Sequence, residues 1–587
     1  MKRSSKKFIK VLSVALAAVL ALPIATGCKK KKEGANVLEI FCWKAGYGTQ
    51  WCIDMYHAFE NEDWVKEKYP DLEIVYSQND STGTYITQID AGEGVNTMDL
   101  IFSGGVSSYT GMDGEGHEFF SELSEKVYNA EIPGEDGVTV MQKMFPTYVD
   151  SVRYYERGQD SNSKDEIPFK SYVFPWASGM DGILYNREHL ETLGLEVPLT
   201  TTQFVETCEA IQNSKALAYL KKPEDQNGGA YAILKDAGGA YWNYLYPIWW
   251  GQYEGINGYY NFFNGVIGET EEDYQISAEV FKQQGKKHAL QAMEDILLWD
   301  NGYFYKKSTG LDHEQAQQAF LLGDGVFYAN GDWFAKEMEK QRNDAIQFGD
   351  KVYDIRMMKT PIISQIIEKT PSITNDEELR VVIRAIDKGF ATLSAATDAV
   401  GDFSQSDMAL FERMENSSTG AKDYKKIVEA RSIVHAIGPN HHAVVPSYAL
   451  GKEIAYDFLL FMATDKAQEI YMNATGGASL PFDYDVETKN PDLWASFDNI
   501  EKDRLTYINK AKMGYETNVL PDPNSFPLVK YGGMSAVESM GGYSVIAYFS
   551  AEGQSKGAAL TLFNDDIATY VDGGKFDTCR NKAGLGN

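Results

Sequence analysis

At 587 residues the chain is long enough for two or more domains, and 43% hydrophobic with 13% aromatic residues supplies the side chains to fill their cores. Its 55 Lys and Arg stand against 84 Asp and Glu, a net charge of −29. That balance excludes nucleic acid and anionic lipid surfaces as partners held by charge.

Lys2, Arg3, Lys6, Lys7 and Lys10 form a basic head without an acid, and an apolar run over 11–24 follows, broken only by Ser13 and Pro23. Ala25-Thr26-Gly27-Cys28 comes next, then four lysines. A basic head, a short apolar run and small residues at its end make an export signal. The run falls short of the roughly 20 residues that a spanning helix needs. Small residues ending in a cysteine resemble the bacterial lipobox, with Ala25 where that pattern favours Leu. The resemblance implies a leader over 1–28, lipidation at Cys28, and a tether over 29–36. It further implies a lipid-anchored place on the extracytoplasmic face of the cell membrane, for which one acyl chain is too weak. Taking the five basic residues of the head from 55 leaves 50 against 84, or −34. The other cysteines, Cys42, Cys52, Cys208 and Cys579, have no metal or redox spacing and read as free and partly buried, although export permits disulfides.

A first strand is predicted over 37–43, running into Lys44-Ala45-Gly46-Tyr47-Gly48. Trp51, Met55, Ala58 and Phe59 at helical spacing predict a helix over 49–68. A strand over 72–77, a helix over 85–91 stopped by Gly92 and Gly94, and a strand over 98–103 entering Gly104-Gly105 come next. This alternation predicts parallel crossovers and the α/β class. Open parallel sheets bind ligands at the carboxyl ends of their strands, which makes the loops after Trp43 and Phe102 site candidates.

Farther on, Gly182-Ile183-Leu184-Tyr185-Asn186 leads into a helix, and Thr200-Thr201-Thr202 forms the N-cap region of a helix over 203–214. Aromatic residues crowd 241–263; a helix over 315–322, a strand and turn over 325–331 and a strand over 351–359 are predicted in turn. The stretch 370–433 reads as mostly helical and charged, alternation resumes at Val434, and a helix over 454–472 ends near Gly476-Gly477. His441-His442 has no further ligands at metal spacing, 483–487 lacks the glycine and closing acid of a calcium loop, and 111–116 lacks the Lys-Ser/Thr end of a phosphate loop. No metal or other cofactor is expected.

Three segments resemble the extracellular solute-binding proteins of carbohydrate importers, of the maltose-binding-protein type. The first is Phe174-Pro175-Trp176-Ala177 through Leu184-Tyr185-Asn186-Arg187-Glu188, then Gly194-Leu195, Pro198 and Phe204. The second is 319–333, ending Ala329-Asn330-Gly331-Asp332-Trp333, and the third is 452–474 followed by Gly476-Gly477 and Leu480-Pro481. Order and spacing agree from Val37 to about Phe482 and more loosely beyond, where Gly533-Met534-Ser535-Ala536 is the candidate site loop. The resemblance implies a two-lobe periplasmic-binding-protein-like α/β fold with an interlobe ligand cleft and multiple chain crossings. Lobe one is expected over 37–175 plus 360–490, with a helical insertion at about 370–433 longer than the simplest members show. Lobe two is expected over 176–359 plus 491–587. It also implies a monomer that closes on a carbohydrate, an oligosaccharide, and delivers it to the membrane permease subunits of an ABC importer, with no bond made or broken.

A sugar needs flat apolar area for its C–H faces and fixed polar groups for its hydroxyl edge, and Trp and Tyr supply the former. Trp333 stands where the family stacks a Trp under the sugar, and Trp176 follows the family's Pro at the lobe crossing. The family also places stacking rings within 241–251, from which Trp249 or Trp250 is taken. Trp43 ends the first strand; Lys44, Asp181 and Asp332 sit in the matching segments as hydroxyl partners. Each has a plainer reading as a core ring or a solvated charge. One rival function is a secreted glycoside hydrolase with two carboxylates flanking a sugar, which 84 acids leave open. Another is a binding protein of the same fold for a peptide or other solute.

Overall fold

A computed structural model describes residues 36–79, 97–104, 119–217, 231–268, 273–436, 441–537 and 545–586. Cys28, the leader and the tether through residue 35, the helix expected over 85–91 and the loop 111–116 lie outside the described residues. Among the described residues no helix is long and apolar enough to cross a membrane.

Two sheets organise the chain. The first joins β1 (Val37–Trp43), β2 (Glu73–Asn79), β3 (Leu100–Gly104), β4 (Phe174–Pro175) and a later strand, His441–Val444. The second holds β5 (Met180–Asn186), β6 (Ile233–Leu234), β7 (Phe327–Gly331), β8 (Ile355–Met358) and β9 (Ile433–Ala436). His441–Val444, in the first sheet, is therefore β10, and Asn518–Val519, in the second, is β11. The first sheet runs β2-β1-β3-β10-β4, with β1 parallel to both β2 and β3 and β10 antiparallel to its neighbours. The second runs β11-β9-β5-β7-β6, with β8 extending the edge of β5 beyond β9. The near-continuous burial of β3 and β5, with Ser103, Asp181 and Asn186 buried among apolar residues, shows that both faces are covered. The chain passes between sheets from β4 to β5, from β9 to β10, and again after Phe482.

Helices cover both sheets. In lobe one, α1 (Gln50–Asn61) buries Trp51, Met55 and Phe59. The single helix expected to residue 68 is interrupted, because Glu62 is extended and the chain restarts at Asp63. Two short helices, α2 (Val140–Lys143) and α3 (Pro146–Ser151), flank the lobe boundary. In lobe two, α4 (Thr201–Asn213) starts on Thr200, whose hydroxyl accepts from the Gln203 amide at 3.2 Å. The aromatic run becomes α5 (Leu245–Glu254); α6 (Asp376–Asp387) and α7 (Gly420–Ser432) follow. The helix expected over 454–472 is two, α8 (Lys452–Met462) and α9 (Asp465–Thr475), because the Thr464 hydroxyl caps the second. The last helix used below is α10 (Asn499–Ile508).

One expected boundary is corrected. The stretch 360–433, expected in lobe one, packs with lobe two: Ile362, Leu379, Ile383, Phe411, Tyr424 and Ile427 share one core with Trp249 and Phe262. The acid-rich α6 turns its apolar face, with Val382 and Ile386, onto that core, and α7 packs on α5. The first sheet has its own core, including Trp51, Phe102, Trp176 and Tyr471.

Candidate functional site

The strand ends of the two sheets meet at the lobe boundary. β1 and β3 finish at Trp43 and Gly104, and β10 begins beside Gly104 at His441. From lobe two, β7 ends at Gly331, paired with Asp181, just before Asp332 and Trp333. This is the carboxyl end of the parallel strands, as the alternation predicts.

Two series of rings line the boundary. In lobe one Trp43 lies 5.3 Å from His441, His441 lies 5.0 Å from Trp176, and Trp176 stacks on Trp51 at 5.2 Å. In lobe two Trp333 lies 5.7 Å from Tyr241, Tyr241 lies 6.0 Å from Tyr244, and Tyr244 stacks on His435 at 4.6 Å. Trp43, His441, Tyr241, Tyr244 and His435 are half-buried. Trp333, Tyr241 and Tyr244 belong to lobe two by sequence yet pack against the lobe-one core, so the second series spans the boundary. Glycine makes both Trp positions possible. A Cβ on Gly104 would come within 2.7 Å of the Trp43 ring, and one on Gly331 within 2.0 Å of the Trp333 ring.

The expected site residues separate into two groups. Trp43 and Trp333 come to the boundary, and Lys44 stands exposed beside Trp43. Trp176, Trp249 and Trp250 are corrected to core residues: all three are fully buried, with indole N–H groups donating to Ser103 O, Pro361 O and Gln283 Oε1. Trp176 is enclosed by Trp51 and Phe102. In α5 the rings turn inward, Trp249 to Pro361 and Trp250 onto Tyr259, Phe262 and Phe263, whereas Tyr241 and Tyr244, in the turn before the helix, stay at the strand ends. Tyr241 and Tyr244 lie in the dense aromatic stretch but before its helix, and His435 and His441 sit on β9 and β10; a reading that takes the indoles of the stretch misses all four.

Asp332 is also corrected: it is fully buried, accepts a 2.8 Å hydrogen bond from the Tyr47 hydroxyl, and has Arg504 Nε 3.0 Å from its Oδ2, so it is spoken for. Asp181 is buried beneath the rings, with one oxygen on His435 Nδ1 and Oδ1 lacking a hydrogen-bond partner. Burial pushes its carboxyl up to about 6, opposed by His435 and reinforced by Asp332.

A crevice of about 680 Å³ opens on the other side of the crossing strands. Met180, Val434 and Ala436 line it with Phe145, Tyr148 and Val519. Side chains alternate along a strand, so this face of β5 and β9 is opposite the one that carries Asp181 and His435. The crevice and the ring series are therefore separate features. Among the described residues no group of acids, histidines or cysteines is placed to hold a metal ion, and Cys42, Cys52, Cys208 and Cys579 are buried.

No curated protein matches the sequence. Solved structures are similar to this chain. One is a "probable secreted solute-binding lipoprotein" from Streptomyces coelicolor, at TM-score 0.51 and 11% identity over 91% of this chain and 99% of that one. Two others are a chitin oligosaccharide binding protein, at 0.49 and 11% over 93% and 99%, and RafE in complex with raffinose, at 0.46 and 14% over 91% and 98%. The sequence profile of the bacterial extracellular solute-binding proteins matches residues 56–367, more than half of the chain. With two sheets, repeated crossings and a ring-lined boundary between them, this chain belongs to the bacterial extracellular solute-binding protein family.

Proposed function

We propose that the protein captures an oligosaccharide between its lobes and hands it intact to the permease of an ABC importer, held at the membrane by lipid on Cys28. One observation carries the reading: half-buried rings from both lobes, Trp43 and His441 on one side and Tyr241 and Tyr244 on the other, gather at the strand ends with Trp333. Flat amphipathic rings suit the C–H faces of sugars. By analogy with aromatic pairs each stack contributes about 0.5–1.5 kcal/mol. Two or three stacks with several hydrogen bonds reach roughly −8 kcal/mol, a micromolar dissociation constant from which a ligand can still leave. Lys44, exposed beside Trp43, and Asp181, acting through its partner His435, are the polar groups proposed for the hydroxyl edge.

Titration calorimetry against a glycan panel and a peptide pool tests this. Micromolar binding to a glycan, with the sugar recovered uncut, supports it. Binding confined to peptides, or cleavage products that vanish on mutating a boundary acid, overturns it.

A further inference from the structure

A second set of polar contacts joins the lobes beneath the rings. Arg504, on α10, is fully buried, and its guanidinium reaches both lobes. Within lobe two its Nε lies 2.9 Å from Glu501 Oε2 and 3.0 Å from Asp332 Oδ2. Across the boundary Nη2 donates to Gly477 O at 2.8 Å and Nη1 to Ser479 Oγ at 3.2 Å, both just after α9 in lobe one. Ser479 in turn bonds Ser178 on the first crossing at 2.7 Å. Tyr47, from the lobe-one loop after Trp43, closes the circuit on Asp332 Oδ1. The lobe assignment of α10 is secure, because Tyr507 donates to Met357 O and Asp503 pairs with Arg356, both on β8.

The placement of Asp332 gives the circuit its consequence. It is the residue immediately before Trp333, and its amide donates to Met180 O at 3.2 Å. The same residue thus holds the turn that presents Trp333 to β5 through its amide and receives the hydroxyl of the opposite lobe on its carboxylate. A buried guanidinium or carboxylate stripped of one partner is costly, since water cannot replace it. Arg504 keeps its full set of acceptors only when Gly477 and Ser479 are seated, and Asp332 keeps its own only when Tyr47 is.

We infer that Arg504 is a positioning residue, linked through Asp332 to Tyr47, that ties the setting of Trp333 to the approach of the two lobes. The inference rests on the proposed use of Trp333 in ligand capture, and its mechanical half is independent of any ligand.

Two variants test it. Tyr47→Phe removes one hydroxyl and keeps the ring; Arg504→Lys keeps the charge but lacks the fork needed to serve both lobes. Amide hydrogen exchange read at 44–48 and at 331–337 reports the linkage without ligand. Faster exchange in both segments of each variant is expected, together with a roughly fivefold to tenfold weaker affinity, about 1.0–1.4 kcal/mol, for whichever glycan the wild type binds. The change in Trp emission on adding that glycan is expected to shrink in parallel. Acceleration confined to 44–48, or unaltered affinity despite acceleration in both, overturns the inference. Should the wild type bind no glycan, the proposed function fails while the exchange data alone decide the linkage. If Arg504→Lys folds poorly, Tyr47→Phe alone decides between these outcomes.

Discussion

Two tryptophans that look alike in the sequence are set apart by their neighbours. Trp176 has no exposed surface, stacks on Trp51 at an interplanar angle of 17° and gives its N–H to Ser103 O. Trp43 is half-buried and leans on His441 over a glycine that leaves it room. Trp176→Ala is therefore expected to cost about 3–5 kcal/mol of stability through the cavity it opens. Trp43→Ala is expected to leave stability within about 1 kcal/mol while weakening glycan affinity about tenfold, or 1.4 kcal/mol. Urea unfolding and calorimetry on the same two variants check the pair. Equal affinity loss in both would remove the distinction drawn from burial. Burial of this kind was not legible in the sequence. Trp43 ends β1 and Trp176 directly follows β4, so position at a strand end picks out both, and only the packing around each separates them. Density of rings picks out Trp249 and Trp250, which are buried as well.

Elements were more legible than contacts. The Thr200 cap, β1, β7 and the stop at Gly476 follow from local chemistry: a hydroxyl facing free amides, alternating or unbroken apolar residues, and a glycine at φ 82°. The misplacement of 360–433 has the opposite origin, since which lobe a helix covers depends on partners far away in sequence. The Thr200 hydroxyl accepts from the Gln203 amide and also donates to Asp376 Oδ2 at 2.9 Å, in the first turn of α6. The Ser364 hydroxyl donates to the other oxygen of that carboxylate at 2.7 Å. One hydroxyl thus caps α4 and pins the inserted helices to lobe two. Thr200→Ala should cost about 1–2 kcal/mol, at or above the ordinary value for a lost N-cap. Hydrogen exchange in 376–387 should rise with it. A loss restricted to α4 would show that the insertion is held by its apolar face alone.

Across the whole molecule, the lobes meet through rings that suit a ligand and through charges that suit only each other. Two lobes and their crossings were implied by the order of sequence segments, but nothing in spacing announced that Glu501, Arg504 and Asp332 would share one buried pocket. Burial is the largest influence on both acids and pushes both up, Glu501 to about 8, while Arg504 pulls them back. Glu501 faces Arg504 and Asp498 from its own segment, Asp332 from the end of β7, and the hydroxyls of Tyr47 and Tyr471 from lobe one. A carboxyl raised in the folded state holds a proton that the unfolded chain releases. Its favourable contribution is thus complete below the unfolded value, near 4.3, and drains away as pH climbs toward 8. Glu501→Gln keeps an oxygen for Arg504 and removes the titration. Melting midpoints of variant and wild type should therefore coincide near pH 4.5, diverge in favour of the variant up to about pH 8, and run parallel above it. Asp332 remains in both proteins but interacts with Glu501, so the difference between the curves belongs to the pair. Midpoints that keep a constant separation from pH 4.5 to 8 would mean that Glu501 is ionised throughout, with Arg504 outweighing the loss of water around it.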